Sequence, residues 1–465
     1  MSTFSGINMS SRALTAAQRG MEVTGQNIAN VNTEGYTRQR VEQTESRAGA
    51  TGMFARRGTA GEGVEVTGIA RVSDALTEAA ARQDGATAAE HEAATAVWSR
   101  LEANLGENGT SGLSYQLNDM HKAFSDLGNA TSAENVLAGR THALARATNV
   151  ADTAKQVDAQ VQAQWSELGG RIDLHTADVN ATAQQIAGFN TAILSAGTTG
   201  VSANELLDQR EKALSHLSEL TGARVVGREG GMVDVYVGNT AIVAGRQAYT
   251  MTASHGTSLA DVKAGTSSTT LTIEGAAAQP TSGALKATLD AVNTTVPGVS
   301  KSIDQSVKDI AAAVNAAYNP GGTGQDLFTF SGARVNGGGA SEQIRVNPAV
   351  TPSTMQDSTA GTVDRARAKA IGELPTTPDS PTLAWRNTVV DIAAKTQASE
   401  IRADLAAQVS LKSIAARDSV SGVNIDEEMT NLVSYQHAYS AAARVLTTID
   451  QALDTLINRT GLVGR

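Results

Sequence analysis

The chain has no cysteine in its 465 residues, which excludes a disulfide framework and any thiolate metal site. Aromatic residues make up 3%, so cores must be built from Ala, Val, Leu and Ile, a composition that suits long, closely spaced helices. The chain also lacks basic runs, and its net charge of -10 argues against nucleic acid as a partner, since polyanion binders gather Lys and Arg on one face. Neither a charged n-region with an apolar core near the start nor an apolar run of membrane-spanning length is present. That predicts no membrane insertion and no ordinary secretory signal, while export by a route that reads no such signal stays open. Catalytic strings are missing as well: the seven histidines form no H-x-x-x-H pair, no Ser sits in a G-x-S-x-G elbow, and no carboxylates fall in a recognisable catalytic pattern. The expectation is a protein that is not an enzyme and takes no cofactor or metal. His175 lies on a helical seam without a second His at metal spacing, which favours a structural role. The Gly-rich stretches at 319–324 and 337–339 lack the Lys-Ser or Lys-Thr of a phosphate loop and are expected to be plain loops.

What the sequence does contain is heptads. At the C-terminal end Ile425, Leu432, Tyr439, Leu446 and Leu453 fall seven apart, with Glu428, Tyr435, Ala442, Ile449 and Leu456 three further on. A seam repeating every 3.5 residues lets one helix lie along another. Near the N-terminus Ile7, Leu14, Met21 and Ile28 repeat the pattern, with the small residues Ser10, Ala17, Thr24 and Val31 beside them. The simplest pairing is the first helix against the last. A rod follows from the middle of the chain. Trp165, Ile172, Val179, Ile186 and Ile193 imply one very long helix, which Gly169 and Gly170 would bend at about 1 kcal/mol each. Thr131 with Glu134 predicts a capping box at its start. Residues 204–220 predict an amphipathic helix, with Asp208, Arg210, Glu211 and Lys212 on a solvated face. Between 221 and 282 the period changes to that of strands, with a Gly230-Gly231 turn and alternating Val233, Val235 and Val237. Helical spacing returns from Leu285 and is punctuated by Pro297-Gly298. Phe328, Phe330, Ile344 and Val346 imply short strands, and a last shaft helix spans about 383–417.

The expected fold is mainly α with an inserted β-rich domain: paired terminal coiled-coil helices (1–40 plus 423–465), a long helical rod domain (41–220 plus 283–422) and an outer β domain (221–282) that projects outward.

Behind the first heptad helix stands Ala29-Asn30-Val31-Asn32-Thr33-Glu34-Gly35-Tyr36, which resembles the A-N-x-x-T-x-G-Y signature of the axial proteins of the bacterial flagellum, its rod, hook and hook-associated proteins. N-E-L-L-D-Q-R-E-K-A-L-S-H-L-S-E-L-T-G, V-D-V-Y-V-G, V-N-A-A-Y-N-P-G-G-T-G-Q-D-L-F and the segment 421–446 are similar to the hook-associated protein 1 family, at the hook-filament junction. The resemblance implies a structural subunit that polymerises on the distal hook end. Implied partners are other copies of itself in a ring or helical layer, the hook protein, a second hook-filament junction protein, and a flagellar export chaperone. It also implies an extracellular place in the flagellum, reached through the flagellar type III export apparatus. The assembly residues expected on this basis are Ile7, Leu14, Met21, Ile28, Asn30, Gly35, Tyr36, Ile425, Leu432, Tyr439, Leu446, Ile449, Leu453 and Leu456. Another axial protein of hook or rod type, or a secreted adhesin that uses the β-rich insert, are the alternatives.

Overall fold

The computed structural model describes residues 3–46, 63–107, 109–199, 202–322, 324–331, 339–359, 365–377 and 380–455. Leu456 lies outside them, as do Gly337 and Gly338. The chain opens with helix α1 (Thr3–Ala29), followed by strands β1 (Gln39–Glu45) and β2 (Val64–Arg71), which pair antiparallel. Helices α2 (Ala75–Leu105), α3 (Leu113–Gly128), α4 (Ala133–Thr199) and α5 (Asn204–Thr221) come next.

The β-rich part holds an antiparallel sheet of β3 (Arg224–Gly227), β4 (Val233–Val237), β5 (Thr240–Ala244) and β6 (Gln247–Ala248). A second sheet is formed by β7 (Met251–Ser254), β8 (Thr270–Ile273) and β9 (Ala276–Ala277), with the short helix α6 (Leu259–Ala264) between its first two strands. The chain returns through α7 (Ala284–Asp290) and α8 (Val296–Tyr318), then β10 (Phe328–Phe330), α9 (Ala340–Gln343), β11 (Ile344–Val346) and α10 (Ala366–Glu373). It ends in α11 (Pro381–Ser421) and α12 (Ile425–Asp454).

The α4 helix is the beam of the molecule. Its 67 residues span about 100 Å at 1.5 Å per residue. Ile172, Val179, Ile186 and Ile193 are buried along one side, as the heptads required, but no interruption occurs at Gly169 and Gly170, where the helix runs on. Packing on both sides of the glycine pair outweighs the propensity cost. Ser132, not Thr131, caps the helix: its Oγ accepts the Asn135 amide at 3.2 Å.

α2 and α11 form a second, antiparallel layer, with Thr95 opposite Ser399 and Asp84 opposite Ser413. The latter helix begins at Pro381, whose missing N–H costs nothing in a first turn, and continues to Ser421, past the expected end at 417. Pro297 falls near the start of α8, and the turn before it, Ala291–Thr295, is a π-helix. The proline has no amide to give, and the helix path carries straight on instead of breaking.

The two sheets do not project free of the helices. Val235, Val237, Ile242, Met251 and Ile273 belong to the same apolar core as Ile172, Val179 and Ile186 of α4. Gly230 and Gly231, at φ of 75° and 74°, make the turn into β4 that their sequence implied. In the smallest sheet Phe328 pairs with Val346 and Phe330 with Ile344.

Strands are fastened to helices by one repeated device. Asn190 of α4 donates from Nδ2 to Val233 O at 2.8 Å, while its Oδ1 accepts the Val233 amide at 3.2 Å. Asn180 treats Met251 in the same way (2.9 and 2.7 Å), Asn293 treats Thr269 (2.9 and 2.8 Å), and Asn315 treats Phe328 (both 2.8 Å). The asparagine amide has a donor and an acceptor side by side, so it substitutes for one residue of a neighbouring strand. Asn190 is fully buried and also holds Arg210 Nη1 at 3.0 Å. Asn190→Ala should therefore strand several buried polar groups and cost about 3 kcal/mol. A urea titration of the purified chain followed by circular dichroism checks this, and a loss below about 1 kcal/mol would contradict it.

Candidate assembly site

The terminal helices meet in an antiparallel pair, and its register follows from three contacts. Asn27 of α1 bonds Glu428 of α12, Gly20 lies against Tyr435, and Gly6 against Ile449. A step of seven down one helix thus matches a step of seven up the other, as a heptad seam demands.

The column at the centre of α1 is shifted by one residue from the expected one. Gly6, Gly20 and Asn27 are buried with Ser10, Ala17 and Thr24, whereas Ile7, Leu14, Met21 and Ile28 are half-buried on the flank. The reason is steric. A Cβ on Gly20 would stand 2.5 Å from the Tyr435 ring, and one on Gly6 would stand 2.9 Å from Ile449 Cδ1. Large side chains on α12 are accommodated because α1 offers bare backbone beneath them.

Along the α12 seam Leu432, Tyr435, Ala442, Leu446, Ile449 and Leu453 are half-buried, while Ile425 and Tyr439 are exposed. The apolar side chains Met429 and Val433, 48% and 47% exposed, continue from Ile425 along an outward face.

The signature segment closes the end of this pair, and each of its fixed residues has a geometric task. Asn30 Nδ2 donates to Gln26 O at 3.0 Å, capping the last turn of α1, and Thr33 Oγ1 donates to Asn30 Oδ1 at 3.1 Å. Gly35 takes φ of 81°, a left-handed conformation that costs a glycine little. The chain so reversed brings Tyr36 back onto α1, where its hydroxyl donates to Asn27 Oδ1 at 2.8 Å.

Asn27 is the hub. Its Oδ1 also accepts the Gln39 amide (3.0 Å), and its Nδ2 donates both to Gln39 O (2.9 Å) and to Glu428 Oε2 (3.0 Å). All four bonds available to the side chain are made. Glu428, the one charged residue on the C-terminal seam, is 2% exposed and pairs with Arg38 Nε at 2.8 Å. Arg38 also reaches Glu427 at 2.9 Å, and its backbone amide donates to Ser421 O at 2.9 Å.

A second polar layer ties this end to the rod. Arg71 Nε pairs with Asp208 Oδ1 at 2.7 Å, and Arg71 Nη2 donates to Thr37 Oγ1 at 2.9 Å. Asn204 Nδ2 donates to Gln39 Oε1 at 3.0 Å and to Ile69 O at 2.9 Å. The 204–220 charges are therefore not a solvated face: Arg210 is buried and pairs with no carboxylate among the described residues, Asp208 is nearly so, and Glu211 pairs with Arg82. Of these four, Lys212, which meets Glu34 at 3.5 Å, is the exposed one. Polar residues facing polar partners across an interface give no apolar period, so the pattern looked like a surface.

Burial pushes the Tyr36 phenol up to about 12, helped by Asp208, Glu428 and Glu205. Burial likewise raises Asp208 above the usual carboxylate range, against the pull of Arg71. His175 is half-buried, and burial lowers its pKa. Among the described residues no group of His, Asp and Glu could hold a metal ion, and no helix is long and apolar enough to cross a membrane.

Three family models match the chain. Residues 98–328 match the flagellar hook-associated protein FlgK helical domain, residues 7–37 the flagella basal body rod protein, and residues 417–459 the flagellar basal body rod FlgEFG protein C-terminal. The flagellar hook-associated protein 1 of Bacillus subtilis aligns over the whole of both chains at 27% identity. Over its whole length the chain is thus similar to flagellar hook-associated protein 1. The Escherichia coli member is 29% identical over 50% of this chain and 42% of its own length, and the Salmonella typhimurium member 30% over 50% and 41%. The flagellar hook junction protein FlgK of Burkholderia pseudomallei superposes with a TM-score of 0.45 at 22% identity, covering 54% of this chain and 46% of that one. These matches, at both ends and in the middle, mark the chain as a structural component of the bacterial flagellum.

Two outcomes test the pair. Gly20→Ala should loosen α1 from α12, although the same change in a helix free of Tyr435 would stabilise by about 1 kcal/mol; hydrogen exchange of the α1 amides in Gly20→Ala, with and without Tyr435→Ala, measures the reversal. Tyr36→Phe should cost about 1 kcal/mol at neutral pH. The folded phenol holds its proton more tightly than the unfolded one, so its contribution is present below the ordinary value of 10 and lost as pH rises towards about 12. Urea midpoints across that window should fall less steeply in Tyr36→Phe than in the parent.

Proposed function

We propose that the chain is the subunit that polymerises on the distal end of the flagellar hook through its terminal helices, and that the layer so formed is the platform for the second junction protein and the filament. The observation that carries the reading is the outward apolar face of α12. Ile425, Met429 and Val433 lie one helical turn apart and are about half exposed, in a helix whose opposite face is already closed by α1. A row of that kind is stabilised when another apolar surface covers it. Copies of the same chain, related by the symmetry of a tube, supply such a surface at every subunit.

In this reading residues 1–40 with 423–465 form the assembly domain, 41–220 with 283–422 the rod, and 221–282 the outer β domain. Ile7, Leu14, Met21 and Ile28, half-buried beside the α1–α12 contact, join Leu432, Tyr439, Leu446, Ile449 and Leu453 in meeting neighbouring subunits. Leu456, outside the described residues, is assigned to the same interface from its heptad position alone. Asn30, Gly35 and Tyr36 act by fixing the angle at which the pair leaves the rod. The hook protein lies on one side of the layer, and export proceeds through the flagellar type III apparatus with a chaperone that masks α12 beforehand. The match of the central residues 98–328 to a hook-associated model favours this reading over a hook or rod protein, which shares only the terminal segments.

A deletion strain should build hooks without filaments and lose flagellin to the medium; absence of the hook itself would contradict the junction role. Val433→Asp, expressed in that strain, should leave the thermal transition of the monomer within about 0.5 kcal/mol of the parent and yet abolish filament formation, because each copy would bury an unpaired charge. Normal filaments on the variant hooks would sink the proposal.

A further inference from the structure

Away from the terminal helices, two carboxylates converge on one hydroxyl. Asp158 of α4 is 3% exposed and Asp304 of α8 is 8% exposed. Ser341, in the first turn of α9, sits between them with Oγ 2.9 Å from Asp158 Oδ1 and 2.6 Å from Asp304 Oδ1. A serine hydroxyl has a single proton and can donate to only one of these oxygens. Were both carboxyls ionised, the other contact would set two lone pairs against each other in a buried place.

The surroundings decide which carboxyl keeps its charge. Asp304 Oδ2 meets Lys263 Nζ at 2.8 Å, and Asp304 Oδ1 accepts the Ser341 amide at 3.0 Å as well as the hydroxyl. Its backbone neighbour Gly339 approaches so closely that a Cβ there would stand 2.2 Å from the carboxylate. Among the described residues Asp158 has no cation in contact, and its Oδ2 accepts the neutral amide of Gln162 at 2.6 Å.

We propose that Asp158 is a neutral carboxylic acid in the folded protein, donating its proton to Ser341 Oγ, which in turn donates to the ionised Asp304. The charged groups facing the site are Asp304 from α8 and Lys263 from α6; α9 presents Ser341, with Glu342 exposed, and Lys301 and Lys308 border the adjoining groove. Burial raises the Asp158 carboxyl above its usual range, opposed by the bonds from Ser341 and Gln162 and by Lys263, and reinforced by Asp304.

Folding of this block therefore binds a proton that the unfolded chain gives up at neutral pH. The sign is fixed by linkage: a carboxyl whose folded pKa is raised contributes stability in full below its unfolded value, and that contribution is lost as pH rises through the folded value. Ser341 joins α9 to α4 and α8, so the joint between these elements is the part that weakens.

Infrared difference spectra of the full chain at neutral pH, taken in light and heavy water, should show the C=O stretch of a buried protonated carboxyl. The band should vanish in Asp158→Asn. Asparagine reproduces the proposed geometry, its Nδ2 donating to Ser341 and its Oδ1 accepting from Gln162, so Asp158→Asn should be at least as stable as the parent at neutral pH. Its pH dependence of unfolding should indicate about one proton fewer taken up on folding. A parent spectrum without the band, or Asp158→Asn less stable with the proton uptake unchanged, would overturn the assignment.

Discussion

The pairing of an asparagine amide with both backbone groups of a single residue is the interaction on which this architecture depends. It occurs between Asn27 and Gln39, Asn180 and Met251, Asn190 and Val233, Asn293 and Thr269, and Asn315 and Phe328. In each case the asparagine stands on a helix or its π-helical extension and its partner belongs to a strand or the residue beside one. Small sheets have edges, and an edge laid against a helix would leave its amides and carbonyls without partners at a cost of about 1–3 kcal/mol each. A helix cannot satisfy them from its own backbone, which is used internally. The asparagine side chain answers this by carrying one donor and one acceptor at the spacing of a strand, so sheets of two to four strands can be held on a helical beam without large cores of their own.

At the terminal pair the same device does more than fasten. The α1 side of the seam is mostly Gly, Ala, Ser and Thr, and such residues specify register weakly, because a slip of seven sets similar residues opposite one another. Glu428 removes that freedom. In the observed register it finds Asn27 and Arg38; one heptad away it would face Gly20, and a buried carboxylate without partners is costly enough to exclude that alternative. The stability of the pair comes from close apolar contact over the glycines, while its alignment comes from one buried charge. The signature loop is what delivers Arg38 and Tyr36 to the place where that charge lies.

Much of this was legible in the sequence, and the boundary is physical. Heptads located α12 and the core column of α4, period-2 alternation located β4, and the residues 29–36 pointed to the family. The column of α1 was misplaced by one because periodicity ranks large apolar residues highest, whereas a helix that must approach closely buries its smallest ones. Asn27 and Arg38 escape notice, Asp208 and Arg210 pass for a solvated face, and Glu428 shows on the seam without its partners, all for a related reason. A polar side chain buried against another polar side chain has the same letter as one in water, and only the partner, 171 positions away for Thr37 and Asp208 or 401 for Asn27 and Glu428, distinguishes them. Strand-like β7 and β9, at four and two residues, were too short for any period to register.

The division of labour between apolar and polar contacts lets the proposed assembly surface be separate from the fold. Apolar residues on α12 fall into two groups, those over the glycines of α1 and those facing outward, and the polar hub lies at one end of the first group. Covering the outward face with another subunit would add burial without disturbing any bond of the hub, since Asn27 has spent all four of its own and Glu428 is paired from within the chain. On the proposed assembly, a subunit built in this way meets its neighbours with register already set, so the entropy lost is that of docking and not of aligning two helices.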